Sequence, residues 1–212
     1  MGWDKRVWIL CVVICLLPSG CLNLKKPRHQ IEYYTLEYDP PQSQEAVPLP
    51  AVIRVARFGV APMYNTNRMI YRDGSFKRNA YTYHKWRANP GDLVSYFLSR
   101  DLKQSGLFKG ALSHDSGAEA SYLLEGSVDE FCEWNEAGAW EAVLSITVTL
   151  MIESEPDISK RILFQKSYHA REPISQKNPQ ALAEAMSQAF SGISGEVTGD
   201  IYEHLKEAKQ NG

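Results

Sequence analysis

The sequence predicts a single α/β domain of the α+β kind: a mixed, mostly antiparallel sheet built on a long three-strand meander, with two main helices packed on it. Three observations lead there. The runs Tyr122 to Trp134, Trp140 to Ile152 and Ile162 to Glu172 carry apolar and polar residues at the two-residue period of a half-buried strand. Asn89-Pro90 and Asn178-Pro179 each open a stretch whose apolar residues recur every three or four positions. The remaining apolar run, Val7 to Leu17, precedes all of this behind Lys5-Arg6 and is too short to span a hydrocarbon core, which takes roughly 20 residues.

That leading run has the layout of an export signal: cations, an apolar stretch, then Pro18-Ser19-Gly20-Cys21. Ser19, Gly20 and Cys21 resemble the bacterial lipoprotein box, in which a cysteine is acylated on sulfur and becomes the new N-terminus. Pro18 departs from the family's preference for Leu. Residues 1–20 are therefore expected to be a signal peptide and Cys21 a lipid anchor bearing palmitate-type chains. At about 0.8 kcal/mol per buried methylene, two such chains already hold a protein to a bilayer. Leu22 stands where Asp is the usual inner-membrane retention signal, which points to the periplasmic face of the outer membrane.

Residues 21–30, with Lys25, Lys26 and Arg28, read as a tether, and residues 31–212 as the domain. Ile31 to Tyr38 is aromatic and β-branched enough for a first strand. Pro40, Pro41, Pro48 and Pro50 argue for a loop until Val52. Val52 to Val60 reads as a second strand, with Met69 to Arg72 and Tyr81 to Trp86 flanking an Asp73-Gly74 turn. Asn89 as a cap, Pro90 in the first turn and Asp92 at the positive end of the dipole start a helix that runs to Ser105, before Gly106.

In the meander, Leu124, Val128, Cys132 and Trp134 share one parity and Glu125, Asp129 and Glu133 the other, so the acidic set is expected to face solvent. The final helix, from Pro179, carries Leu182, Met186, Ala189, Phe190, Ile193, Val197, Ile201 and Leu205 as its apolar stripe. Gly192, Gly195 and Gly199 interrupt it at a cost of roughly 1 kcal/mol each, which predicts either a bend there or, the preferred reading, another element packed closely against it.

Composition excludes more than it assigns. The 212 residues carry a net charge of −2, yet Arg54 to Arg87 holds eight basic residues against Asp73 alone. No phosphate loop, dinucleotide fingerprint or Gly-x-Ser-x-Gly elbow is present. The five histidines lack metal-ligand spacing, and Cys132 is the one thiol left once Cys11 and Cys15 go with the signal and Cys21 is acylated. No cofactor, no catalysis and no nucleic acid are expected, the last because export removes that partner. The basic segment, laced with Tyr64, Tyr71, Phe76, Tyr81, Tyr83 and Trp86, is the surface signal that stands out. Arg68, Tyr71, Arg72, Trp86 and Arg87 are its candidate partner-binding residues, since Arg, Tyr and Trp are typical interface anchors.

Met63-Tyr64, Met69-Ile70-Tyr71-Arg72, Tyr83, Trp86, Pro90, Leu98 to Phe108 and Tyr122-Leu123-Leu124-Glu125-Gly126 resemble the ABC-type transport auxiliary lipoprotein family over about Tyr33 to Leu205. The resemblance implies a fold similar to the N-terminal domain of the Tol translocation protein. It also implies an outer-membrane lipoprotein, able to form homo-oligomers, that docks a mammalian-cell-entry-type lipid transporter in the periplasm. A structural lipoprotein of a secretion or envelope-assembly complex, or a lipid-anchored periplasmic hydrolase, is the alternative.

Overall fold

A computed structural model describes residues 30–42, 46–74, 76–136 and 138–210. The expected signal peptide, Cys21 and the tether through residue 29 lie outside the described residues. In chain order the elements are β1 (Glu32–Tyr34), β2 (Leu49–Val55), β3 (Gly59–Val60), β4 (Arg68–Asp73), β5 (Lys77–Trp86), α1 (Pro90–Gln104), β6 (Phe108–Leu112), β7 (Tyr122–Glu136), β8 (Ala139–Ile152), α2 (Ile158–Arg161), β9 (Ile162–Pro173) and α3 (Pro179–Gln210).

The sheet is organised along β7. One of its edges pairs antiparallel with β8, and β8 pairs antiparallel with β9, giving the long meander expected from the alternating runs. The other edge is shared in succession by β2, β3 and β4, each running parallel to it. Beyond β2 lies β6; beyond β4 lie its hairpin partner β5 and then β1. The long ladders are antiparallel and the short ones parallel.

α1 and α3 cover one face and bury the main core, in which Val94, Leu98, Met186, Phe190 and Val197 meet Val128, Phe131, Leu144, Ile146 and Val148. Both helix starts are capped as the sequence predicts: Asn89 Oδ1 accepts from Gly91 N at 3.0 Å, and Asn178 Oδ1 from Ala181 N at 2.8 Å. Gly106 closes α1 with a φ of 71°. Asp101, fully buried, ties three segments together by accepting from Tyr38 Oη and Ser194 Oγ, each at 2.5 Å, and from Arg100 Nε at 2.8 Å.

Several boundaries differ from expectation, each for a physical reason. β2 begins at Leu49 and includes Pro50, tolerated because the β2–β6 register slips between Leu49 and Val52, where a missing N–H costs least. The expected strand Val52 to Val60 is broken: Phe58 turns in, with its N–H donating to Ser95 Oγ at 2.8 Å. There its ring lies over Gly126, where a Cβ would sit 2.6 Å from the ring and 2.1 Å from Thr147 O. Short strand β6 and the single turn α2 carry no periodicity long enough to read. Gly192, Gly195 and Gly199 do not receive a packed neighbour: a Cβ at any of them meets nothing within 4 Å, and α3 runs unbroken past them.

The largest correction lies in β7. Val128 pairs with Ile146, but Glu130 pairs with Ser145, so Asp129 is an extra residue that reverses the parity of all that follows. Phe131 and Glu133 turn to the helix-covered face. Cys132 and Trp134, predicted to lie with Leu124 and Val128, turn to the opposite one. There Cys132 joins Tyr64, Ile70 and Val143 in a small second cluster.

Candidate functional site

The β4–β5 hairpin holds the sequence-predicted site residues and sends them in different directions. Its turn uses Gly74 at a φ of 73° and ends on Phe76, which is 98% exposed beside Lys77. Successive β4 residues alternate faces, so Met69 enters the main core, Ile70 the second cluster, Tyr71 the helix-side face and Arg72 the far face. Arg68 is exposed, and Arg87 is exposed with its guanidinium 5.5 Å from the Tyr33 ring. Trp86 is not a surface anchor: it is 1% exposed and meets Phe131 edge-on at 5.0 Å, because the end of β5 faces the core.

The basic segment does not form one patch either. Arg54 is engaged by Glu153 at 2.7 Å and by the carbonyl of Ser116 at 2.6 Å, and Arg57 by Asp92 at 2.7 Å. Arg68, Arg72, Lys77, Arg78, Lys85 and Arg87 remain on or beside the hairpin. On its far face the Trp134 ring has two guanidinium carbons over it, Arg72 at 3.8 Å and Arg171 of β9 at 4.0 Å. This pairing joins β4 to the meander and holds cationic groups in fixed orientation.

On the helix-side face, a hollow of about 390 Å³ opens between the hairpin and the start of β8, walled by Tyr71, Tyr81, Trp140, Glu133 and Lys177. The Tyr71 and Tyr81 rings lie 5.2 Å apart. Tyr81 Oη donates to Glu133 Oε2 at 2.9 Å, while Glu133 Oε1 is buried with no hydrogen-bond partner. Glu133 is 2% exposed, and burial pushes its carboxyl above the ordinary value against the opposing pull of the Tyr81 hydroxyl and Lys177. Burial, and then Glu133 itself, also raise the Tyr81 hydroxyl. Lys177 Nζ lies 4.1 Å above the Trp140 ring. Two larger depressions, about 710 Å³ near the end of α3 and about 550 Å³ between α1 and β6, hold no buried carboxylate oxygen without a partner. Sequence parity missed Glu133 because the bulge at Asp129 carries no residue signature.

Among the described residues no group of three or more His, Cys, Asp or Glu side chains is placed to hold a metal. Burial raises the Cys132 thiol to about 11, far from a nucleophile's range, and its contact is Tyr64 Oη at 3.8 Å. His84 contacts Glu32 at 3.2 Å and His169 approaches Glu130 at 3.9 Å. No described helix is long and apolar enough to cross a membrane.

These features define a mixed α+β domain with a large open sheet, helices on one face and a basic hairpin within the sheet. The chain belongs to the ABC-type transport auxiliary lipoprotein component family, whose model matches residues 34–198. It is thereby a lipoprotein of the cell envelope associated with an ABC transporter. No curated protein matches the chain. A crystal structure of a Xanthomonas campestris protein superposes with a TM-score of 0.76 at 17% identity, covering 84% of this chain and 99% of that one. An uncharacterised protein superposes at 0.63 with 13% identity, covering 81% and 99%. At these identities the likeness establishes the fold.

Proposed function

We propose that this protein is a non-enzymatic lipoprotein, anchored through Cys21 to the periplasmic face of the outer membrane. There it docks the periplasmic part of a mammalian-cell-entry-type ABC transporter that moves lipid between the membranes. The observation that carries the docking reading is the hairpin: a 98% exposed Phe76 at the tip of a strand pair, next to Lys77, with Arg68 and Lys85 paired at its base. An exposed aromatic beside a cation suits an acidic protein surface with an apolar socket, the arrangement in which a few central side chains carry most of the affinity. A ring of identical copies would place several such hairpins around one conduit.

The test is isolation of the lipoprotein in mild detergent and identification of the chains that accompany it. A mammalian-cell-entry-type subunit is expected. Combined charge reversal at Arg72 and Arg87 should weaken the association about tenfold or more, while thermal stability falls by no more than about 1 kcal/mol, the loss of the Arg72–Trp134 contact. Recovery of secretion-channel subunits alone contradicts the reading. So does a Cys21→Ala variant that still sediments with envelopes and incorporates labelled palmitate.

A further inference from the structure

We infer that the hollow between the β4–β5 hairpin and β8 is a binding site for a primary ammonium group, held by the Glu133 carboxylate and the rings of Tyr71, Tyr81 and Trp140. Four observations converge. Glu133 Oε1 is buried and lacks a donor, whereas its sister oxygen accepts from Tyr81. An acceptor left so is costly inside a protein, and a ligand N–H removes the cost. Among the described residues no Lys, Arg or His nitrogen comes within 4.0 Å of that carboxylate, so no side chain of the fold makes a direct ion pair with it and Lys177 acts on it only at longer range.

The walls are aromatic, and faces of Trp and Tyr attract desolvated cations. Lys177 demonstrates the point, for its ammonium lies over Trp140 at 4.1 Å rather than on Glu133. The space, about 390 Å³, admits an amine with several heavy atoms beyond the nitrogen.

The missing donor also selects among ammonium groups. A quaternary ammonium satisfies the rings but has no N–H for Oε1, whereas a primary ammonium does both. The chemistry is that of an ethanolamine head group or a free alkylamine. Lys177, on the segment between β9 and α3, acts as the internal competitor for the aromatic wall. The site stands independently of the docking reading: a hairpin that binds no transporter leaves this hollow as it is.

The experiment uses the full lipoprotein in an amine-free, non-ionic detergent, labelled with 5-fluorotryptophan, with the Trp140 resonance assigned through Trp140→Phe. Ethanolamine, choline, ethylene glycol and dihexanoyl phosphatidylethanolamine are titrated in turn. Ethanolamine should shift the Trp140 signal saturably, at about tenfold lower concentration than choline, with no saturable shift from ethylene glycol, which lacks the charge. Glu133→Gln should weaken ethanolamine about tenfold, and Lys177→Ala should tighten it several-fold. The second change lies on an exposed segment and keeps the test open if the first impairs folding. Binding of the short-chain lipid but not free ethanolamine assigns the site to a head group; the reverse assigns it to a soluble amine. Both support ammonium recognition. The inference is overturned if neither probe gives a saturable shift, if ethylene glycol or choline matches ethanolamine, or if ethanolamine binds both variants as it binds the native chain.

Discussion

One residue, Asp129, decides what the second half of β7 presents. It accepts hydrogen bonds from Ser127 Oγ and Thr147 Oγ1, both at 2.7 Å, which holds the extra residue in place and turns Glu133 inward. Glu133 then carries a folded-state pKa above its unfolded one. Its contribution to stability is complete below the unfolded value, near pH 4, and is lost as pH rises through the folded value. Glu133→Gln removes that titration. In urea unfolding across pH, the variant should match the native chain near pH 4 and become the more stable of the two as pH rises to neutral. A pH-independent difference would show that the carboxylate is not strained.

Gly126→Ala sets a contrasting case, because a Cβ there sits 2.1 Å from Thr147 O and 2.6 Å from the Phe58 ring. Backbone cannot yield cheaply, and a loss of roughly 2 kcal/mol is expected by the same unfolding measurement. Asp101→Ala strips Tyr38, Ser194 and Arg100 of their shared acceptor and should cost roughly 3 kcal/mol.

Among the elements, α3 makes the sharpest distinction between stability and use. Gly192, Gly195 and Gly199 face open space, so replacing each with Ala should stabilise the helix by about 1 kcal/mol with no clash to offset it. A triple Ala variant that is more stable in isolation but weaker in transporter association would mark that side of α3 as an interface; unchanged association would leave the glycines without a role in docking. The elements themselves were largely legible in sequence. β7, β8 and β9 begin and end within a residue or two of their alternating runs, and α1 and α3 start at their Asn-Pro pairs, because burial of one face imposes its period directly on residue choice. What stayed hidden is what periodicity does not encode. The bulge at Asp129 inverted the facing of Cys132, Glu133 and Trp134, strands as short as β3 and β6 have no period to read, and an aromatic such as Trp86 looks alike in sequence whether it plugs a core or meets a partner.

At the scale of the whole molecule, the strongly basic stretch of sequence becomes two separate things. Arg54 and Arg57 are absorbed by Glu153 and Asp92, while the hairpin keeps the rest, some of it oriented by Trp134. Candidate site residues Arg68, Arg72 and Arg87 thus survive as surface cations, Tyr71 becomes a wall of the Glu133 hollow, and Trp86 belongs to the core. On the docking reading proposed above, Phe76, exposed beside Lys77, is the side chain that would meet the transporter.

The most direct measurement of that claim places a photo-crosslinking benzoylphenylalanine at position 76 of the full-length lipoprotein in living cells, with the same residue at Ile158, another exposed position, as control. The account predicts an adduct from position 76, absent from position 158, that contains a periplasmic mammalian-cell-entry-type subunit. No adduct at position 76, or identical adducts from both positions, would contradict it.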